Sequence, residues 1–269
     1  MTKLHGEPHI RLLALLQAKN EERYLPGWLE NIGGCVDGIV ALDDGSSDST
    51  AEILASSPKM LEIIRKSPGT TWNERANQMA LLQAGRTHSA DWFLCLDADE
   101  RIESQFVERA QELLQQAEAN GIQVYQFHLR DLWGDADHYR VDGIWGSKSV
   151  MRLFKNIPTH KRFGLRQLHR FWMPIEIVAN LETVGRHSGL NIYHLSMMTA
   201  EDRWARVSKY EQLDPNHLYQ RIGYRYLADE TNLALQAIPE RRGFSPRMDS
   251  LPYGSDNWLC VQDKSEQSG

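Results

Sequence analysis

The sequence predicts an α/β fold: a doubly wound, mostly parallel sheet with a helical C-terminal part. Short apolar runs alternate with amphipathic stretches from Arg11 to Asn120, the pattern of parallel strands joined by crossover helices. Several of the runs end abruptly in acidic or polar residues, at the strand ends where such sheets bind ligands. The 269 residues, 41% hydrophobic and 25% charged, suffice to bury a sizeable core in one domain or a domain with an appendage.

Arg11 to Ala18 reads as a buried strand, stopped by Lys19-Asn20-Glu21-Glu22 and followed by a helix around Leu25 to Ile32. Val36 to Leu42 is a second strand, ending in DDGSSDST, where Gly45 supplies a turn and Ser49-x-x-Glu52 reads as a capping box for a helix through Leu54. Leu61 to Arg65 is a third strand. Asn73 to Ala84 is amphipathic, with Gly85 where a helix C-cap glycine belongs. Asp91 to Leu96 is a fourth strand, running into Asp97 and Asp99 before a helix from Ser104 to Ala119 closed by Asn120-Gly121. Gln123 to Leu129, Val150 to Phe154 and Asn191 to Leu195 read as strands, and Thr199 to Leu213 and Leu218 to Ile238 as helices. Beyond Glu240 the Pro, Ser, Gly and charge content predicts a loosely ordered tail.

A formal net charge of -6 argues against nucleic acid as the main partner. Cys35, Cys95 and Cys260 have neither disulfide-framework nor zinc-type spacing, so a reducing cytoplasm is the expected compartment. The apolar run Leu12 to Leu16 is too short for a signal sequence or a membrane span, leaving peripheral docking at an inner membrane face as the route to membrane-borne acceptors.

Two carboxylates at i and i+2 just past a buried strand, in FLCLDADE, can face one ligand and suit magnesium or manganese, which prefer oxygen donors and keep positions for phosphate and water. Such a pair alone is more often a polar loop. It gains meaning from Asp43 and Asp44, which precede their turn as a pair, and from Asn20 and Glu21 at the end of the first strand.

KNEERYLPGWL, VDGIVALDDGSSDST, NERANQMALLQAG and DWFLCLDADE, in this order over about residues 10 to 105, resemble family 2 glycosyltransferases of the GT-A fold, a Rossmann-like architecture. The resemblance implies a nucleotide-sugar donor, most often a uridine diphosphate sugar, with Mn2+ or Mg2+. It implies that Ala18, Asn20, Glu21, Asp43, Asp44, Arg75, Asp97 and Ala98 line the nucleotide site. Asp97 and Asp99 then engage metal and diphosphate, and His194 completes the metal shell. Residues 1–122 become a donor half, 123–240 an acceptor and catalytic half of the same domain, and 241–269 the tail.

The implied reaction moves sugar, with inversion, to a hydroxyl on a glycan, a lipid-linked sugar or a small molecule. Relatives often place a His-Glu pair after an R-L-F segment, the Glu serving as base. Here MRLFK is present, but QLHRFW puts Arg170 where the acid is expected, leaving His169, Glu176 and Asp142 as candidate bases. Arg170 is then available to the diphosphate, and Trp133, Trp145 and Trp172 could stack on an acceptor sugar. Two other readings compete. The missing Glu fits a nucleotide-sugar-binding protein without turnover. A strand ending in D-x-D also opens phosphatases that use an aspartyl nucleophile, but Glu100-Arg101 follows the pair and DDGSSDST would have no task.

Overall fold

The structure, a computed structural model, describes residues 8–164 and 171–246. Its first part alternates as the apolar spacing predicts: β1 (Leu12–Ala18), α1 (Leu25–Gly33), β2 (Gly38–Asp43), α2 (Thr50–Ser56), β3 (Met60–Arg65), α3 (Glu74–Thr87) and β4 (Trp92–Leu94). β1 and β2 are continuous apolar runs because helices cover both faces of the sheet there. Parallel pairing puts β1 between β2 and β4, with Ala18 opposite Asp43 and Ala14 opposite Leu94. The polar segments that follow these strands therefore leave the sheet on one side as neighbours.

The chain then continues through β5 (Glu100–Ile102), α4 (Ser104–Asn120), β6 (Val124–Asp131), β7 (His138–Arg140), β8 (Ser149–Lys155), α5 (Ile175–Val178), α6 (Leu181–Val184), β9 (Gly185–His194), α7 (Ala200–Leu213) and β10 (Leu235–Ala237). The main sheet is 8-stranded, in the order β3-β2-β1-β4-β8-β6-β9-β5. Its far half is mixed: β8 runs antiparallel to both β4 and β6, β9 lies parallel to β6, and β5 antiparallel to β9. β7 and β10 form a separate antiparallel pair. No helix among the described residues is long and apolar enough to cross a membrane.

Four local expectations need correction. Leu218 to Ile238 is not a helix; it is loop, a single helical turn at Arg225–Leu227 and β10. Gly223 (φ 73°) and Asn232 (φ 60°) adopt left-handed backbone, which a right-handed helix cannot contain, and Leu235–Ala237 pairs with β7, while the Asp214 carboxylate accepts the amides of Leu218, Tyr219 and Gln220 in the loop. Ser49 makes no side-chain cap for α2. Asp48 does that work, its Oδ1 accepting the amide of Thr50, while Glu22 accepts the amide of Ser49. The start of the expected tail is packed: Phe244 is buried against Tyr193, with ring centroids 5.0 Å apart, and Arg242 pairs with Glu103. The rest of that tail lies outside the described residues.

Gly85 is the fourth. It sits inside α3, whose C-cap is His88, and its role is close approach to the sheet. A Cβ there would lie 2.6 Å from Phe93 Cε1 and 3.0 Å from Leu15 Cδ2. Alanine would gain up to about 1 kcal/mol of helix propensity, but overpacking a filled core costs about 1–3 kcal/mol. Gly85→Ala is therefore expected to lower stability by about 1 kcal/mol in urea unfolding; an unchanged or raised midpoint contradicts the packing account.

Candidate active site

At the ends of β1 and β2 the two polar loops are stitched together. Asp44 N–H donates to the Ala18 carbonyl (2.9 Å), Asn20 N–H to Ser46 Oγ (2.9 Å), Ser47 N–H to Asn20 Oδ1 (2.8 Å) and Glu21 N–H to Thr50 Oγ1 (2.7 Å). Asn20 accepts a left-handed backbone (φ 55°) to do this. Asp43 is buried, its Oδ1 taking the amide of Ser46, whereas Asp44 turns inward to Lys66 (2.9 Å) and Asn77 (3.0 Å). Arg75 stands exposed in the first turn of α3.

Asp97 and Asp99, just past β4, have different surroundings. Asp97 is 46% exposed and its Oδ2 binds Arg152 from β8 (2.6 Å), which also holds the buried Glu100 (2.6 Å). Asp99 is largely enclosed: Oδ2 meets His194 Nε2 (3.1 Å), Ser196 Oγ (2.5 Å) and Arg206 of α7 (3.2 Å). His194 closes β9, and its Nδ1 binds Asp131 Oδ1 at the end of β6 (2.8 Å); Asp131 also pairs with Lys148 (3.0 Å). Ala98 is buried, its carbonyl accepting from Arg101.

Burial opposes every charge in this cluster, and the partners decide the outcome. For Asp99, burial is outweighed by His194, Arg206 and Ser196, which hold its carboxyl well below the usual range. Burial likewise works against Asp131, yet Lys148 and His194 draw it down to about 2. Burial would neutralise His194, but the flanking Asp99 and Asp131 lift it to about 9. For Glu21 the balance falls the other way: burial, with Asp99 and Asp97 nearby, outweighs Lys209 and Arg206 and pushes it up to about 8.

Beside this cluster lies a cavity of about 160 Å3, lined among others by Asp131, Lys148, His194, Arg206, Tyr210 and Tyr226. The tryptophans expected to stack on a sugar are instead core: Trp133, Trp145 and Trp172 are 2%, 4% and 6% exposed. Trp133 and Trp145 meet edge to face, with ring centroids 5.5 Å apart, and Arg140, Arg203 and Lys148 lie over their faces.

The sequence model described as glycosyl transferase family 2 matches residues 15–170, more than half of the chain, and covers the β1, β2 and β4 loops just described. The chain belongs to glycosyl transferase family 2. An uncharacterized protein of Mycobacterium tuberculosis is 27% identical over 247 residues, 87% of this chain and 59% of that protein, and one of Mycobacterium bovis matches equally. The chain thus spans little more than half the length of these curated relatives. Among solved structures, S. aureus TarS in complex with UDP-GlcNAc shows a TM-score of 0.38 and 14% identity over 70% of this chain and 46% of that one. Glucosyl-3-phosphoglycerate synthase from Mycobacterium tuberculosis, solved with Mn2+, UDP and glucosyl-3-phosphoglycerate, shows 0.35 and 23% over 45% and 44%.

In this family 2 chain the structure unites Asn20, Glu21, Asp43, Asp97, Asp99 and His194 on one side of the sheet, with Ala18, Asp44 and Ala98 packed behind them. It does not bring Asp142 or Glu176 there. Asp142 is gripped by Arg140 through both oxygens, each at 2.8 Å, and Glu176 accepts from Arg162 (3.1 Å); neither bonds to the Asp97–Asp99 cluster. His169 and Arg170 lie outside the described residues. Sequence reading missed Asp131, Lys148, Arg152, Ser196 and Arg206. The signal for Asp131 is the same as for Asp43 and Asp97, an apolar strand ending in an acid, but the apolar run ends at Leu129, two residues before the strand does.

Asp142 yields a pH test. Its bonds to Arg140 hold it at about 2, below the ordinary 3.8, so the pair's stabilisation is complete above pH 3.8 and is lost as pH falls toward 2. Asp142→Asn should flatten the loss of stability between pH 4 and 2 in acid titrations monitored by circular dichroism, leaving the neutral range little changed. A variant as acid-sensitive as the parent removes this pair from the fold's acid response.

Proposed function

We propose that this glycosyltransferase takes sugar from a nucleoside diphosphate sugar, a uridine diphosphate sugar first among donors, with a divalent cation at Asp99 and His194. Convergence of Asp99 Oδ2 and His194 Nε2 at 3.1 Å, with Asp131 behind Nδ1, carries the reading. A carboxylate on the far nitrogen of a histidine is the usual backing of a metal ligand, because it fixes the tautomer that leaves Nε2 to coordinate. Among the described residues no group of three carboxylate, imidazole or thiolate side chains is arranged around a cation. Two protein ligands still fit manganese or magnesium, which leave several positions to phosphate oxygens and water. Asp97 is the third candidate, its Oδ2 held by Arg152.

When bound, the cation would neutralise charge on the departing diphosphate. Arg206, lying against Asp99 and Ser196, adds fixed positive charge to the same region. Asp43 and Asn20 would receive the nucleoside, Asp44 would set the shape of their loop through Lys66 and Asn77, and Arg75 would close over the nucleotide from α3. The acceptor hydroxyl would enter from the cavity lined by Tyr210 and Tyr226, with inversion at the sugar carbon. With Asp142 and Glu176 committed to arginines, His169 remains the proposed base. The parts 1–122 and 123–240 would serve donor and acceptor.

Asp99→Ala should abolish manganese-dependent binding of uridine diphosphate and hydrolysis of the donor while leaving the circular dichroism spectrum intact; full manganese-dependent turnover in this variant sinks the reading. Asp131→Asn should weaken manganese affinity by about 10–100-fold, measured by isothermal titration with uridine diphosphate present. Unaltered affinity would mean that His194 is not a ligand. Saturable nucleotide binding without release of sugar from any donor would favour a binding protein.

A further inference from the structure

β6 carries two kinds of chemistry on its two faces. Side chains alternate along a strand, so Leu129 and Asp131 line the cavity beside Asp99, while His128 and Arg130 turn to the other face. There they line a second cavity of about 170 Å3, shared with Tyr139, Asn191, Pro239 and Arg242.

Its charge is one-sided. The His187 ring lies against His128, with centroids 4.1 Å apart, and Arg130 stacks on Tyr139 at 5.0 Å. Glu103 is fully buried and already paired with Arg242 at 2.7 Å. Arg130 has neutral partners only among the described residues: it donates to Asn191 Oδ1 (3.1 Å) and the Gly146 carbonyl (3.1 Å). Arg242 spends a further donor on the Gly189 carbonyl (2.6 Å). A guanidinium carries more donors than these bonds use, so both arginines keep N–H groups for a ligand. Burial together with His187, Arg130 and Arg242 depresses His128 to about 4, each opposing a positive charge on its ring.

We propose that this second cavity, on the face of β6 opposite the candidate active site, is a binding site for a phosphate monoester group held by Arg130, Arg242 and the His128–His187 pair. A phosphate offers several acceptor oxygens and charge between -1 and -2 near neutral pH, which suits two guanidinium forks meeting at a concave surface. Asn191 helps to position Arg130. The site is separate from the nucleotide loops, because no residue of the β1, β2 or β4 ends lines it.

The test is site-resolved. Imidazole resonances of His128 and His187 in the whole chain are followed by NMR as inorganic phosphate is added at constant ionic strength, with sulfate-free chloride buffer as control. The expected result is a saturable shift of both rings and a rise of the His128 pKa by more than one unit. Arg242→Gln should weaken the apparent affinity at least tenfold without moving the His194 resonance. His128→Asn, which leaves both arginines in place, should retain the shift of His187 and guards against an Arg242 variant that fails to fold. Absence of a saturable shift in the parent protein overturns the proposal, as does an equal shift in folded Arg242→Gln. A second arm sediments the protein with phosphatidylcholine vesicles containing phosphatidic acid. Pelleting that Arg242→Gln abolishes assigns the phosphate to a lipid headgroup, and a shift without pelleting assigns it to a soluble ligand.

Discussion

The chain of bonds from Asp99 through His194 to Asp131 is the constraint on which the working end of the molecule depends. It joins the loop after β4 to the last residues of β9 and β6, and Lys148 and Arg206 extend it to the β8 approach and to α7. Buried charges are costly unless each has a partner. No member can move alone without stranding another, so the loop carrying Asp99 is held at the meeting point of strands that are far apart in sequence. The same bonds keep the cluster close to electrical balance before any ligand arrives.

The two parts of the sheet solve different problems. In the parallel part, β2, β1 and β4 deliver their polar loops to one edge in register, and side-chain-to-amide bonds between the Asn20 and Ser46 loops make them a single surface. The mixed part brings the ends of β6 and β9, with Lys148 just before β8, to wall the cavity next to Asp99, and Trp133 and Trp145 pack edge to face in the core.

Legibility followed locality. β1, β2, α3 and α4 could be read from the sequence because apolar period, capping residues and turn glycines all lie within a few residues of each other. So could Asp43, Asp97 and Asp99, which stand at strand ends in motifs that agree with one another. The misses depended on partners distant in the chain. β5 is three residues long and exists as a strand because β9 pairs with it. Leu218 to Ile238 carries helix-compatible side chains, but left-handed backbone at Gly223 and Asn232 interrupts it and its last part pairs with the distant β7. Arg152 and Arg206 are ordinary surface cations by sequence and reach the candidate site only when β8 and α7 are brought to Asp97 and Asp99. Gly85 resembles a stop signal, and only the distance to Phe93 reveals that it marks contact between layers.

The alternation along β6 also bears on how this chain can change over evolutionary time. Pairing of β6 already absorbs irregularities near Gln126, one against β8 and one against β9. Beyond them, sliding the strand by one residue would exchange its faces, sending Arg130 toward His194 and Asp131 toward Arg242. An insertion or deletion there would set a cation against Lys148 and His194, and would put a carboxylate into the cationic cavity, at a stroke. Length variation in this family should therefore accumulate in the loops around β6, while the strand itself varies by substitution.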